Sequence, residues 1–413
     1  MPAKVKANGD DVRAAIQAAA DPYARYRFVG TVFALVLVLA AVSEFWRNFV
    51  QPSDRDFLAP WAAVQLALAG RPWAAYDSVA LHAVQSTVAT FGSATAELPF
   101  PYPPAYLLLV IPFGLMSFPA GLVAWSVSTF AFYLAAARRL VPHSGWLAAA
   151  FPAAFVNAAI GQNAFLTAGL FMAGLSLLSA SPFAAGALLG CLIVKPQLAM
   201  MVPIAMLAGR QWRAIAGAAT SSLAILSIGL LLYGQGTIAA WLHEAPLIVK
   251  VTGDGLMGWG KLASVYAAVR QMGVPASPAI AVHLIVAAAA AALVWRAWSS
   301  PGNAGAKVSM LAAGSMLMSP YVFYYDALLL VPSFFYLARA GERSGVLLAL
   351  WSIPLLLIGQ IGVGDFVNLN PAVPIILMAL TYWRSRAGKP SPEGAKLTLE
   401  QPLPVRISQP VGR

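Results

Sequence analysis

Apolar runs long enough to cross a membrane as α-helices recur along the chain, from about Phe28 to Trp383. Many approach the roughly 20 residues that the hydrocarbon core requires. Hydrophobic residues make up 60% of the 413 residues and charged residues only 10%, whereas soluble domains carry about 25% charged residues. The pattern therefore predicts an all-α polytopic membrane protein. A membrane β-barrel would instead show short segments of alternating polarity.

Twelve apolar runs are predicted to span the membrane. They are residues 28–43, 105–118, 120–137, 145–160, 164–180, 182–207, 214–233, 278–298, 308–321, 324–338, 344–361 and 371–383. Twelve crossings leave both termini on one side, and the basic, polar segments 1–27 and 384–413 are predicted to be cytoplasmic by the positive-inside rule. The membrane domain is then 28–383, and the Pro-rich tail is expected to be disordered. The first run lacks a small-residue cleavage site and is predicted to be retained.

The longest polar stretch between runs, residues 45–101, is predicted to be a large loop on the extracytoplasmic side. Two weakly amphipathic helices, 58–68 and about 78–90, are expected to lie flat at the lipid interface within it. The loop closes with Phe100-Pro101-Tyr102-Pro103-Pro104, where the prolines exclude a regular helix because proline has no backbone N–H.

One pair of basic residues conflicts with the simple twelve-span topology. Arg138-Arg139 would lie outside, against the positive-inside rule. In an alternative topology, residues 105–137 cross only once and 182–207 form a hairpin bent at Lys195-Pro196. The arginine pair is then cytoplasmic, and the sequence alone leaves both topologies open.

Composition also excludes several classes of function. The net charge of +11 does not indicate nucleic-acid binding, because the basic residues cluster beside apolar runs. The single cysteine, Cys191, allows no disulfide within the chain, and the four histidines lack the spacing of metal ligands. No Gly-rich nucleotide-binding loop occurs. If the chain transfers a sugar, the donor is therefore expected to reach the site through the membrane, on a lipid-phosphate carrier.

Polar residues beside the apolar runs are candidates for chemistry. Asp54 and Asp56 open the outer loop, and a carboxylate there could act as a general base or cap a helix. Lys195, followed by Pro196 and Gln197, places an ammonium inside an apolar run. Such a charge suits a phosphate ligand or a side chain that extends to the interface.

Two further segments carry polar groups at the ends of runs. The amides of Gln162 and Asn163 could bind a sugar or could simply form a turn. Tyr321 and Tyr325 are explained by an aromatic belt. Asp326 is not, because a carboxylate that begins an apolar run is costly unless it meets a cavity or a cation.

Short motifs follow one another in a fixed order between Asp54 and Asp326. They are Ser53-Asp54-Arg55-Asp56-Phe57, Ala67-Leu68-Ala69-Gly70, Ala75-Tyr76-Asp77, Phe100-Pro101-Tyr102-Pro103-Pro104, Gly161-Gln162-Asn163, Lys195-Pro196-Gln197, Leu207-Ala208-Gly209-Arg210 and Ser319-Pro320-Tyr321. Together they resemble glycosyltransferase family 87, a branch of the C-type (GT-C) membrane glycosyltransferases. The best-known members are mannosyltransferases that use polyprenyl-phosphate mannose.

The resemblance implies a GT-C fold and a hexosyltransferase of the bacterial inner membrane. Its donor would be a polyprenyl-phosphate sugar, mannose-like, transferred with inversion to a lipid or glycan acceptor at the extracytoplasmic face. The catalytic base falls on Asp56. The substrate-binding residues are then expected to be Asp54, Gln162, Asn163, Lys195, Gln197, Tyr321, Tyr325 and Asp326. No resident cofactor is implied, and a need for a divalent metal stays open.

One segment departs from the family pattern. Members that make phosphatidylinositol mannosides tend to follow the late Ser-Pro pair with a tryptophan and paired histidines, where this chain has Phe323-Tyr324-Tyr325-Asp326. The histidine role is therefore not carried over, and the donor sugar stays open. The alternatives are a multi-pass transporter or lipid flippase, although no internal repeat is present, and a noncatalytic subunit of an envelope-assembly complex.

Overall fold

The protein is helical throughout the part of the chain that its computed structural model describes. The described residues are Tyr26, 30–32, Leu35, Leu39, Ser43, 56–88, 98–142, 145–256, 258–358 and 368–386. Within them no β-strand forms, and a single isolated β-bridge joins Leu262 to Phe323. The predicted all-α class is confirmed. Most of the first predicted span, residues 28–43, and residue Asp54 lie outside the described residues.

Most of the helices lie within the predicted apolar runs. They are α1 (Leu58–Leu68), α2 (Ser78–Gln85), α3 (Leu107–Gly114), α4 (Phe118–Leu140), α5 (Gly145–Ala149), α6 (Pro152–Ile160), α7 (Ala164–Leu177), α8 (Pro182–Gly190), α9 (Pro196–Ala199), α10 (Met201–Ala208), α11 (Trp212–Gly253), α12 (Val265–Gln271), α13 (Ala276–Ser299), α14 (Ala304–Met318), α15 (Val331–Arg339), α16 (Ser344–Ile358) and α17 (Ala372–Arg386). Short 3₁₀ segments precede α3, α9 and α15. Among these helices α4, α11 and α13 are long and apolar enough to cross a membrane.

The predicted span 105–118 does not form a helix of spanning length. Helix α3 has eight residues and is therefore about 12 Å long, against a hydrocarbon core of about 30 Å. The chain reverses direction between α3 and α4. The contact between the Phe113 ring and the Trp125 ring of α4, whose centroids lie 5.3 Å apart, shows this reversal. Between residues 98 and 142, α4 is the helix whose length and composition would allow it to cross a membrane.

The predicted span 182–207 is a hairpin. Ser222 of α11 donates a hydrogen bond to the backbone oxygen of Gly190 at 2.9 Å, and Gly186 packs directly against the Ala214 backbone. Residue numbers thus rise together along α8 and α11, so the two helices are parallel. The chain between them must return to its starting end. The turn contains Lys195, whose backbone is non-helical, and Pro196, which begins α9.

The segment between the predicted spans 214–233 and 278–298 is largely helical. Helix α11 bends at Gly234, whose φ of 78° is readily adopted only by glycine, and then continues to Gly253.

The buried apolar side chains form two clusters. One contains the main bundle, and the other surrounds α1 with Phe57, Trp61, Phe118 and Trp125. Helix α1 lies at the predicted position but is buried on nearly all sides.

Candidate active site

A tight turn at Gly161 joins the two clusters. Gly161 ends α6 with a φ of 71°, and a side chain there would lie 2.6 Å from the Cβ of Phe57. The Phe57 N–H donates to the Ile160 oxygen at 3.1 Å, and the Trp125 indole donates to the Gly161 oxygen at 3.1 Å. These bonds fix the outer loop against the α6–α7 turn. Residues 56 and 162 therefore become neighbours.

Asp56 is hydrogen-bonded through this turn. Gln162 Nε2 donates to Asp56 Oδ2 at 2.9 Å, and both side chains are half-buried. The other end of the same amide accepts two hydrogen bonds, from the Tyr102 hydroxyl at 3.0 Å and from the Asn163 backbone N–H at 3.2 Å. An N–H can only donate, so the oxygen of the amide must face it and the NH₂ group must face Asp56.

Asn163 connects the same turn to Lys195. Lys195 Nζ donates to Asn163 Oδ1 at 3.3 Å and to Asp326 Oδ1 at 2.6 Å. The Lys195 and Asp326 side chains are 3% and 0% exposed. Asp326 therefore meets the cation that a buried carboxylate requires. The second oxygen of Asp326 accepts the Phe323 N–H at 3.1 Å, so this carboxylate also caps the 3₁₀ segment Tyr324–Leu330.

Aromatic side chains surround the polar network. The Lys195 ammonium lies 4.7 Å from the centre of the Tyr325 ring, a distance that favours a cation–π contact. The Tyr102 ring stacks on that of Tyr106 with centroids 4.3 Å apart. Burial raises the pKa of the Tyr102 hydroxyl well above its usual value, so this group remains a proton donor in its bond to Gln162.

Six of the nine predicted site residues come together, two do not, and Asp54 lies outside the described residues. Asp56, Gln162, Asn163, Lys195 and Asp326 form the network, and Tyr325 packs on its ammonium. Tyr321 instead packs edge-to-face on Tyr266 at 6.5 Å, and Gln197 is half-buried without a hydrogen bond to the network in the described structure. Tyr102 was not predicted as a site residue. Its position between two prolines at the end of the outer loop was the available signal.

The network joins two carboxylates, two amides, a phenol and one ammonium from five separate segments of the chain. If both carboxylates are ionised, it carries a net charge of −1. Asp56 is the half-buried carboxylate and Asp326 the fully buried one, which suits Asp56 to proton transfer with a ligand. Among the described residues, no three His, Cys, Asp or Glu side chains are placed to hold a metal ion.

Comparison with known proteins identifies the family. The model of glycosyltransferase family 87 matches residues 100–320, a stretch that includes Tyr102, Gln162, Asn163 and Lys195 and covers more than half of the chain. No curated protein and no solved structure matched it. The matched span begins after Asp56 and ends before Tyr321, so the roles of the residues outside it rest on the geometry above. The chain belongs to glycosyltransferase family 87, and it is a membrane glycosyltransferase.

Proposed function

We propose that the protein transfers a hexose from a polyprenyl-phosphate donor to a lipid or glycan acceptor at the extracytoplasmic face of the membrane. The observation that carries this proposal is the half-buried Asp56, held by Gln162 at 2.9 Å beside aromatic side chains. A carboxylate held in this way is suited to accept a proton from a sugar or lipid hydroxyl. Aromatic rings suit the apolar faces of a sugar.

The reaction requires one proton acceptor and one leaving group. Asp56 takes the proton of the acceptor hydroxyl while that oxygen forms a bond to the anomeric carbon of the donor. The bond from the anomeric carbon to the phosphate oxygen breaks, and its electron pair leaves with polyprenyl phosphate. Attack from the face opposite the phosphate inverts the anomeric configuration.

Lys195 is the proposed electrostatic partner of the donor phosphate. Its charge is already balanced by Asp326 at 2.6 Å, so a phosphate would have to share or replace that carboxylate. Asn163, which binds Lys195 at 3.3 Å, lies next to Gln162 in the chain. This arrangement supports a site in which the phosphate and the base are held by adjacent residues of one turn.

The contacts favour the alternative membrane topology. Gln162 touches Asp56, whereas twelve simple crossings would put residues 161–163 and the first outer loop on opposite sides of the membrane. The short α3 and the hairpin of residues 182–208 supply the changes that the alternative requires. In this topology both ends of the hairpin lie on the cytoplasmic side, and its tip at Lys195 reaches towards the 161–163 turn. Arg138-Arg139 and both termini are cytoplasmic.

Transfer by the purified protein in proteoliposomes tests the function. A panel of radiolabelled polyprenyl-phosphate monosaccharides would be offered with a membrane lipid extract as acceptor, beside the matching nucleotide sugars. We expect transfer from one lipid-linked donor and none from a nucleotide sugar. Transfer from nucleotide sugars would contradict the donor class. If the purified protein is folded, as shown by a cooperative unfolding transition, and transfers no sugar from any donor, the result would favour a transporter or flippase.

A further inference from the structure

Asp56 is connected to Tyr102 through a single amide. The Tyr102 hydroxyl donates to Gln162 Oε1 at 3.0 Å and Gln162 Nε2 donates to Asp56 Oδ2 at 2.9 Å. The Asn163 backbone N–H donates to the same Oε1 at 3.2 Å. Two donors therefore hold the amide in the one orientation that presents its NH₂ group to the carboxylate.

We propose that Gln162 and Tyr102 are positioning residues for the base, and that Gln162 serves Asp56 instead of the sugar. This inference rests on the proposed function. The amide fixes the direction of the carboxylate, and a hydrogen bond to the ionised form favours that form. Tyr102 acts on Asp56 through Gln162, because without the Tyr102 hydroxyl only the Asn163 N–H holds the Gln162 amide.

The surroundings of Tyr102 suit a fixed donor. Pro101 and Pro103 restrict its backbone, the Tyr76 hydroxyl donates to its backbone oxygen at 2.8 Å, and its ring stacks on Tyr106. The side chain is 9% exposed. A hydroxyl placed by this many contacts loses little freedom when it binds Gln162, so its bond can direct the amide.

Among the described residues, three phenols interact electrostatically with Asp56. They belong to Tyr102, Tyr324 and Tyr325, and phenols ordinarily titrate near pH 10, far above the neutral range. Beyond Asn163 lie Lys195 and Asp326, which are paired with each other. The acidic limb of the pH–activity profile is therefore expected to report chiefly on Asp56.

The test compares pH profiles of kcat/KM for sugar transfer. Gln162→Glu places a second carboxylate against Asp56, and because two adjacent carboxylates resist joint ionisation, we expect the acidic limb to move up by about one pH unit or more. Activity lost at neutral pH should return at alkaline pH. Gln162→Leu should lower kcat about 10- to 100-fold, and Tyr102→Phe about 5- to 10-fold, since one hydrogen bond is lost; for Tyr102→Phe, KM for the donor should stay unchanged.

Matched controls separate positioning from folding. Tyr133→Phe removes another buried hydroxyl, which donates to Ala148 at 3.1 Å, and Gln65→Leu removes another half-buried amide, which donates to Gly114 at 2.6 Å. Both should keep the wild-type profile. A wild-type profile in Gln162→Glu, or a change in KM alone in Tyr102→Phe, would overturn the inference. If Asp56→Asn were also active, the proposed base itself would be wrong; if Asp56→Asn were inactive, only the positioning role would fail.

Discussion

Lys195 Nζ and Asp326 Oδ1 lie 2.6 Å apart, although 131 residues separate them in the chain. Both side chains are buried, so the pair joins the turn of the 182–208 hairpin to the break between α14 and α15. Each of these breaks brings polar backbone and side-chain groups into an otherwise apolar bundle. The ion pair therefore ties together the two irregular segments that border the turn at Gln162.

Breaking this pair on one side is expected to destabilise the protein. Lys195→Met leaves Asp326 buried without its cation, and removing one partner of a buried pair typically costs about 3–5 kcal/mol. The double variant Lys195→Met/Asp326→Asn removes both charges and should recover much of the loss. Denaturant unfolding in detergent measures the free energies. Equal stability of Lys195→Met and wild type would show that the pair contributes nothing.

Gly161→Ala is expected to lower both stability and transfer. The φ of 71° strains any other residue, and the added Cβ would collide with Phe57 and Leu122. Overpacking of this kind typically costs about 1–3 kcal/mol and would displace Gln162 from Asp56. Gly302→Ala is the control, because nothing lies within 4 Å of its added Cβ. The prediction fails if the two variants unfold at the same temperature.

The proposed topology predicts that position 139 is labelled only from the cytoplasmic side. Arg139→Cys, in a background where Cys191 is replaced by alanine, places one exposed thiol at the end of α4. A membrane-impermeant maleimide should reach it in inside-out vesicles and not in intact spheroplasts. Ser86→Cys, exposed in the outer loop, should show the opposite pattern. Labelling of Arg139→Cys in intact spheroplasts would restore the simple twelve-span topology.

The loop between α15 and α16 is expected to lose stability in acid. Burial acts to raise the pKa of the Glu342 carboxyl, but hydrogen bonds from Arg384 and from the Arg343 N–H, with both positive charges, lower it overall. The stabilisation is therefore complete above the unfolded pKa of about 4.3 and is lost as pH falls through the lower folded value.

Unfolding of Glu342→Gln beside wild type measures this contribution. Arg384, 2.8 Å from Glu342, is 31% exposed, so we expect a difference of at most about 1 kcal/mol at neutral pH. The difference should shrink below about pH 4, where the wild-type carboxylate becomes protonated. A difference that stays constant from neutral to acid pH would contradict the assigned cause.

The sequence predicted most helices because the apolar runs are long and their breaks carry proline or glycine. Residues 120–137 and 278–298 match α4 and α13 within three residues at each end. It did not predict the helix after Gly234, because Gly234, Gly236 and Pro246 are residue types that usually end or kink a helix. Pro152 divides the predicted span 145–160 into α5 and α6, because proline is tolerated at the start of a helix and disrupts its interior.

The candidate site was predictable residue by residue but not pair by pair. A lysine and an aspartate in apolar runs are identified as candidates from the sequence, because burying a charged side chain in a membrane is energetically costly. Which of them meet depends on how helices far apart in sequence pack. The contact between Gln162 and Asp56, 106 residues apart, likewise depends on α3 being too short to cross, which hydropathy alone did not indicate. Tyr102 was missed because an aromatic residue in a buried loop usually serves packing.

The base assignment is tested most directly by Asp56→Asn, assayed for sugar transfer in proteoliposomes beside wild type. The control Asp77→Asn changes another aspartate of the same loop, whose carboxylate caps α2 by accepting the Ala80 N–H at 3.0 Å; asparagine caps helices equally well. We expect Asp56→Asn to fold and to lose about 10²- to 10⁴-fold in kcat, and Asp77→Asn to remain active. A folded Asp56→Asn with wild-type turnover would contradict the account.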